Sequence, residues 1–203
     1  RPGHFPASLA LIGLRDVRDY KVASGSSGRL GTASPFNIKA ESLTMRNFTR
    51  DEVADLYGQH TAETGQIFTE EALACAFDLT RGQPWLTNAL AHEVIEKMRV
   101  PPGEPITAAH VDQAKERLIL ARGTHLDALM AKLMEPPVRR IIEPLLADIE
   151  PPRGDTYSDD VAYVRDLGLA APGRPLRIAN PIYWEVIVHV LSGVIEDRIL
   201  DIP

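Results

Sequence analysis

LTRGQPWLTNALA, residues 79–91, is the stretch on which the fold turns. It breaks a helical pattern and restarts it within four residues. Gly82 frees the backbone, and Pro84 suits the first position of a new helix because it has no amide to leave unpaired there. Trp85 then offers a flat apolar wall, able to support a planar ring by stacking or simply to fill the space between two helices. Both readings stand on spacing alone.

Working outward, the helical period continues on both sides. Upstream, a helix is expected from near Thr69, burying Leu73, Ala76 and Phe77. Before it, Thr49-Arg50-Asp51-Glu52 has the form of a capping box, and Val53, Leu56 and Tyr57 supply one apolar face. Downstream, Leu86, Leu90, Val94 and Met98 fall on one face of a helix that ends before Pro101-Pro102-Gly103. A fourth helix is expected from Thr107 to about Ala121. Its charged residues Asp112, Lys115, Glu116 and Arg117 read as a solvated face.

Two further regions have other rhythms. In 123–203, helices over 126–134 and 138–147 precede the turn Pro151-Pro152-Arg153-Gly154. A helix over 158–167, short strands at 169–170 and 176–179 around a Pro/Gly turn, and a last helix over 181–198 complete the order of a winged-helix domain. Its recognition segment, 155–166, carries Asp155, Asp159, Asp160 and Asp166 against Arg165, a balance that argues against DNA because phosphate neutralisation supplies most of the affinity. Arg174 and Arg177 are too few to reverse it. Near the beginning, residues 8–14 form an apolar run of the kind buried in a parallel sheet, followed by Arg15 and Arg18. Ligands of such sheets lie beyond the strands' carboxyl ends, where a guanidinium can fork two hydrogen bonds to a phosphate; pairing with Asp16 or Asp19 is the other reading. Residues 24–35 read as a Gly/Ser loop and 36–45 as strand-like. The expected fold class is mostly α with a small β component.

Composition limits the function classes. The 203 residues are 44% apolar and 25% charged, with net charge −6 and one cysteine, Cys75. An acidic total gives no general attraction to nucleic acid or anionic lipid. The lone cysteine excludes an internal disulfide, reads as a buried structural residue and agrees with a reducing compartment. No apolar run reaches the roughly 18–20 residues that span a bilayer, and residues 1–10 lack the pattern of a secretory signal, so a cytoplasmic location is expected. His60, His92, His110, His125 and His189 make no metal-ligand spacing, and Asp159-Asp160 reads as the acidic start of a helix.

Taken together, LIGLRD (11–16), SPFNIKAESLTM (34–45), FTRDEV (48–53) and LTRGQPWLTNALA (79–91) resemble the C-terminal half of bacterial AAA-like ATPases of the signal-transduction (STAND) branch of P-loop NTPases. The resemblance covers nearly the whole chain. It implies three segments: the C-terminal strands of a P-loop α/β core (1–47), a helical lid (48–122) and a winged helix (123–203). It makes Arg15 the sensor of the γ-phosphate with Arg18 beside it, and Gly82, Gln83 and Pro84 the lid turn, with the proline against adenine. His189 is the one candidate for the histidine that some such winged helices place near the β-phosphate.

The pattern departs from that family in one large respect. There is no G-x-x-x-x-G-K-[ST] and no apolar strand ending in paired acids ahead of residue 8. Those parts position and neutralise the phosphates, so the chain alone is expected not to hydrolyse ATP. ATP and Mg²⁺ are the implied cofactors of the complete parent ATPase, with no tight binding expected of this chain alone. The implied partners are an N-terminal P-loop region or a separate protein supplying it, with room for oligomerisation through the ATPase core; DNA and membrane are not expected. The chain is accordingly expected to be a natural truncation or an expressed fragment, with a nucleotide-sensing, regulatory role in signal transduction. The alternative is a winged-helix interaction or DNA-binding adaptor without nucleotide chemistry.

Overall fold

The computed structural model describes residues 45–121, 124–147, 149 and 155–200, with only the helical course given for 124, 125, 127, 155–157 and 193–200. The expected strands at 8–14 and 36–44, the loop between them, and both Arg15 and Arg18 lie outside the described residues. What is described belongs almost wholly to one compact unit, Arg46–Pro203.

Among the described residues that unit has eight α-helices. Helix α1 is Arg50–Thr64, α2 Glu70–Thr80, α3 Pro84–His92 and α4 Ala108–Leu120. They are followed by α5 (Thr124–Leu133), α6 (Pro136–Leu146), α7 (Asp155–Asp166) and α8 (Pro181–Leu200). The last turns of α3 widen into a π-helical stretch, Glu93–Met98, which carries the apolar face on through the buried Val94.

Local signals set most of these boundaries. Thr49 and Glu52 form the expected capping box, each satisfying the other's backbone amide at 3.2 and 2.7 Å. Arg46 grips the same Glu52 carboxylate with two nitrogens at 2.7 and 2.8 Å and, with the Thr49 amide, holds its pKa down at about 2. Thr69 caps α2 through the Ala72 amide, and Gly65, at φ 77°, closes α1 in the left-handed conformation.

Helices α2 and α4 begin side by side because their leading segments are tied together. Ile106 N–H donates to the Ile67 carbonyl at 2.8 Å and Thr69 N–H to the Ile106 carbonyl at 2.9 Å, a single parallel bridge between Phe68 and Ile106. Gln66 pins the adjoining loop. Its buried amide nitrogen donates to the carbonyls of Val100, Pro101 and Glu104 at 3.2, 2.9 and 2.9 Å. Val53, Tyr57, Ala76, Leu86, Leu90, Val111 and Ala114 fill the core between these helices. The core continues through Ile141, Ile142, Val164, Ile182 and Ile187 into the C-terminal helices, and α8 packs on α2, α4 and α5.

Three expectations change. The β component is smaller than expected: among the described residues there is no strand, and 169–170 and 176–179 meet in one antiparallel bridge, Ala170 with Ile178. Pro172-Gly173-Arg174-Pro175 takes up the middle of that short segment, and Pro175 has no N–H to extend a ladder. The described fold is therefore all-α, and the expected sheet of a winged helix does not form among the described residues. The charged face of α4 is not uniformly solvated either. Lys115 is only 12% exposed and lies 2.8 Å from Glu185 of α8 and 2.9 Å from Glu116. Burial works against its charge, but the two carboxylates outweigh this and raise its pKa. Third, Asp160 is not merely an acid at a helix start. It is buried and accepts from Arg140 of α6 at 2.8 and 3.0 Å, which fastens α7 to α6.

Candidate functional site

Residues Arg81 to Pro84 form the turn that sequence singled out, and every one of them is held. Arg81 (φ 50°) and Gly82 (φ 71°) are consecutive left-handed residues that reverse the chain between α2 and α3. The Gly82 amide donates to the Thr80 hydroxyl at 3.1 Å, and Thr80 Oγ1 donates to the Ala76 carbonyl at 2.7 Å. Gln83 Oε1 accepts from the Leu86 amide at 2.6 Å, making Gln83 the N-cap of α3, and Pro84 takes the first helical position as expected.

A segment from 34 residues upstream clamps this turn. Phe48 N–H donates to the Gly82 carbonyl at 2.8 Å, and Asn47 Nδ2 donates to the Arg81 carbonyl at 3.2 Å. A Cβ built on Gly82 would stand 1.9 Å from the Phe48 carbonyl oxygen, far inside van der Waals contact. Glycine is therefore required twice over, by its φ and by the backbone against it. Behind the turn, the buried Tyr57 hydroxyl donates to the Thr87 carbonyl at 2.7 Å, and burial pushes its pKa well above 10.

On one side the turn adjoins an open cleft of about 820 Å³ that Arg81 shares with the segment 175–181 and the start of α8. Leu145, Ile149 and Trp184 give it apolar wall, and Arg177 lines it beside Arg81. Asn180, itself buried, caps α8 by accepting from the Tyr183 amide at 2.8 Å. Trp85 is half-buried against the core, whereas Trp184 is 48% exposed at the cleft. The tryptophan available to a ligand there is thus the one that sequence did not mark. Its signal was faint: a large aromatic in the first turn of an otherwise apolar helix.

Cys75 donates to Asp112 at 3.4 Å, and burial, with that carboxylate, pushes its pKa up to about 11, so it stays a thiol near neutral pH. His189 is exposed. Among the described residues there is no cluster of histidine, cysteine and carboxylate able to hold a metal, and no helix long and apolar enough to cross a membrane. The Gly82, Gln83 and Pro84 trio is brought together; whether Arg15 and Arg18 approach it lies outside the described residues.

No protein-family model matches the chain, and no curated protein or solved structure proves similar to it.

Proposed function

We propose that the chain is the nucleotide-sensing and regulatory C-terminal portion of an AAA-like ATP-binding protein of the signal-transduction class, working in a reducing, cytoplasmic compartment. In this reading Gly82, Gln83 and Pro84 meet the base of a bound nucleotide and Arg15, with Arg18, reports on its phosphates. The P-loop and Mg²⁺ site come from a preceding region or from a partner, so the chain alone does not hydrolyse ATP. Residues 123–203 act as a winged helix that receives the lid's movement.

One observation carries the reading. The Arg81–Pro84 turn is locked by the Phe48 clamp and the Gln83 cap, and its first residue, Arg81, lines an open cleft. A rigid turn at a cleft presents the same surface each time a ligand arrives, which is what a sensor of ligand state needs. The acidic α7, with Asp160 committed to Arg140, supports a protein-facing role for the last helices over a DNA-facing one.

The adaptor reading is favoured by a different fact. Gly82, Gln83 and Pro84 each have a structural duty that needs no ligand: clearance, cap and helix start. Calorimetric titration of ATP with Mg²⁺ separates the two. The chain carrying the coding sequence upstream of Arg1 should bind, the chain alone should not bind tightly, and Arg15→Ala and Pro84→Ala should each weaken binding at least tenfold. Equal binding by those variants, or none by the extended protein, would leave the adaptor.

A further inference from the structure

One wall of the cleft is seven consecutive residues, 175–181, so the cleft runs along the backbone instead of across it. None of 168–172, the segment they pair with, lines it, and the cleft therefore follows the free side of the Ala170–Ile178 bridge. In that bridge Ala171 N–H donates to the Arg177 carbonyl and Ala179 N–H to the Leu169 carbonyl, both at 2.9 Å. This is the widely spaced kind of antiparallel pair, whose two residues turn their own N–H and C=O outward. The Ile178 amide and carbonyl thus face the cleft, and neither has a backbone partner among the described residues. An open strand edge of this kind is a template for another extended chain.

The surroundings select the chemistry of that chain. Across the cleft stand Leu145, Ile149 at 60% exposure and Trp184, apolar surface for side chains that alternate along a strand. The rim is positive. Arg177 has no ion-pair partner among the described residues, and Arg81 holds only an exposed pair with Asp78, which is easily exchanged. Among the described lining residues the one acid, Glu185, is already engaged by Lys115 at 2.8 Å.

We infer that this cleft is a docking site for an extended acidic segment of a partner protein. The segment adds a strand along Ile178 through main-chain hydrogen bonds. It sets apolar side chains on Trp184 and Leu145 and pairs its carboxylates with Arg177 and Arg81. The edge from Leu176 to Ala179 is four residues, about 13 Å at the usual strand rise. The inference does not rest on the nucleotide reading and competes with it for the cleft, because the outward main-chain amide and carbonyl of Ile178 match a peptide and not a nucleoside phosphate.

The test is a library of random ten-residue peptides displayed on phage and selected on the full 203-residue chain, with Arg177→Glu as the counter-selection. Enrichment of sequences that alternate apolar and acidic residues is expected. The strongest peptide, followed by fluorescence polarisation, should lose at least tenfold in affinity with Arg177→Glu, several-fold with the milder Arg177→Gln, and at least tenfold when its central amide is N-methylated. Circular dichroism of the variants checks that the exposed Arg177 has been changed without loss of fold. Failure of the wild-type chain to enrich anything over Arg177→Glu would overturn the proposal. So would an N-methylated peptide that binds as well as its parent, or displacement of the peptide by ATP, which would make the cleft a nucleotide site.

Discussion

The turns at 81–84 and 168–180 use the same device, left-handed residues that reverse the chain between helices, to opposite ends. At Gly82 there is no room for a Cβ, and the backbone of Phe48 lies against it. At Gly168 (φ 73°) and Gly173 (φ 87°) nothing lies within 4 Å of where a Cβ would stand. The first turn is enclosed, its amides and carbonyls committed to Phe48, Asn47, Phe77, Thr80 and Thr87. The second is anchored at its far end, by Asn180 on α8, and leaves the Ile178 edge open beside an exposed Trp184. The contrast separates a part that must hold its shape from a part that can receive something.

Substitution should expose the contrast most strongly at the glycines. Gly82→Ala must displace the Phe48 backbone as well as adopt a positive φ, and should cost about 3 kcal/mol in urea denaturation. Gly173→Ala meets only the conformational penalty, about 1 kcal/mol. Similar losses at the two sites would dissolve the distinction. Behind the first turn, Tyr57→Phe removes a buried donor from the Thr87 carbonyl and should cost about 1.5 kcal/mol, read as a lower denaturation midpoint with an unchanged slope. Asn180→Ala should cost about 1 kcal/mol by stripping the cap from α8. The smallest effect is one of pH. Glu52 is held at about 2 against its ordinary 4.5, so its contribution is complete above 4.5 and fades as pH falls from 4.5 toward 2. Glu52→Gln should flatten the stability profile across that window and leave neutral-pH slopes alone.

What could be read in the sequence was whatever is settled within one helical turn. The Thr49–Glu52 box, the helix start near Thr69, Pro84 at the start of α3 and the apolar faces of α1 and α3 depend on residues three or four apart and appear as expected, whereas on α2 Ala76 is buried but Leu73 and Phe77 are only half-buried. Helix α7 begins a few residues earlier than expected, at Asp155. What could not be read depends on distant pairs. Phe48 meets Gly82 across 34 residues, Gln66 reaches Glu104 across 38, and Lys115 finds Glu185 across 70. The last of these makes one member of a seemingly solvated helix face part of a partly buried ion pair. The helices of 123–203 were legible from their period, but a period does not say whether a ten-residue segment with two prolines can sustain a ladder, and the expected strands do not form among the described residues. Gly82, Gln83 and Pro84 form one turn between helices, and Trp184, not Trp85, is the tryptophan exposed at the cleft.

Amide hydrogen exchange, read residue by residue by NMR on the full chain, tests the contrast between the two turns most directly. The Phe48 and Gly82 amides, bonded within the enclosed turn, should exchange only through large-scale opening and so approach the global stability. The Ile178 amide should exchange orders of magnitude faster, while its neighbour Ala179, bonded to Leu169, stays protected. Equal protection of Phe48 and Ile178 would contradict the account, because it would mean that the edge is already paired and that both turns are closed.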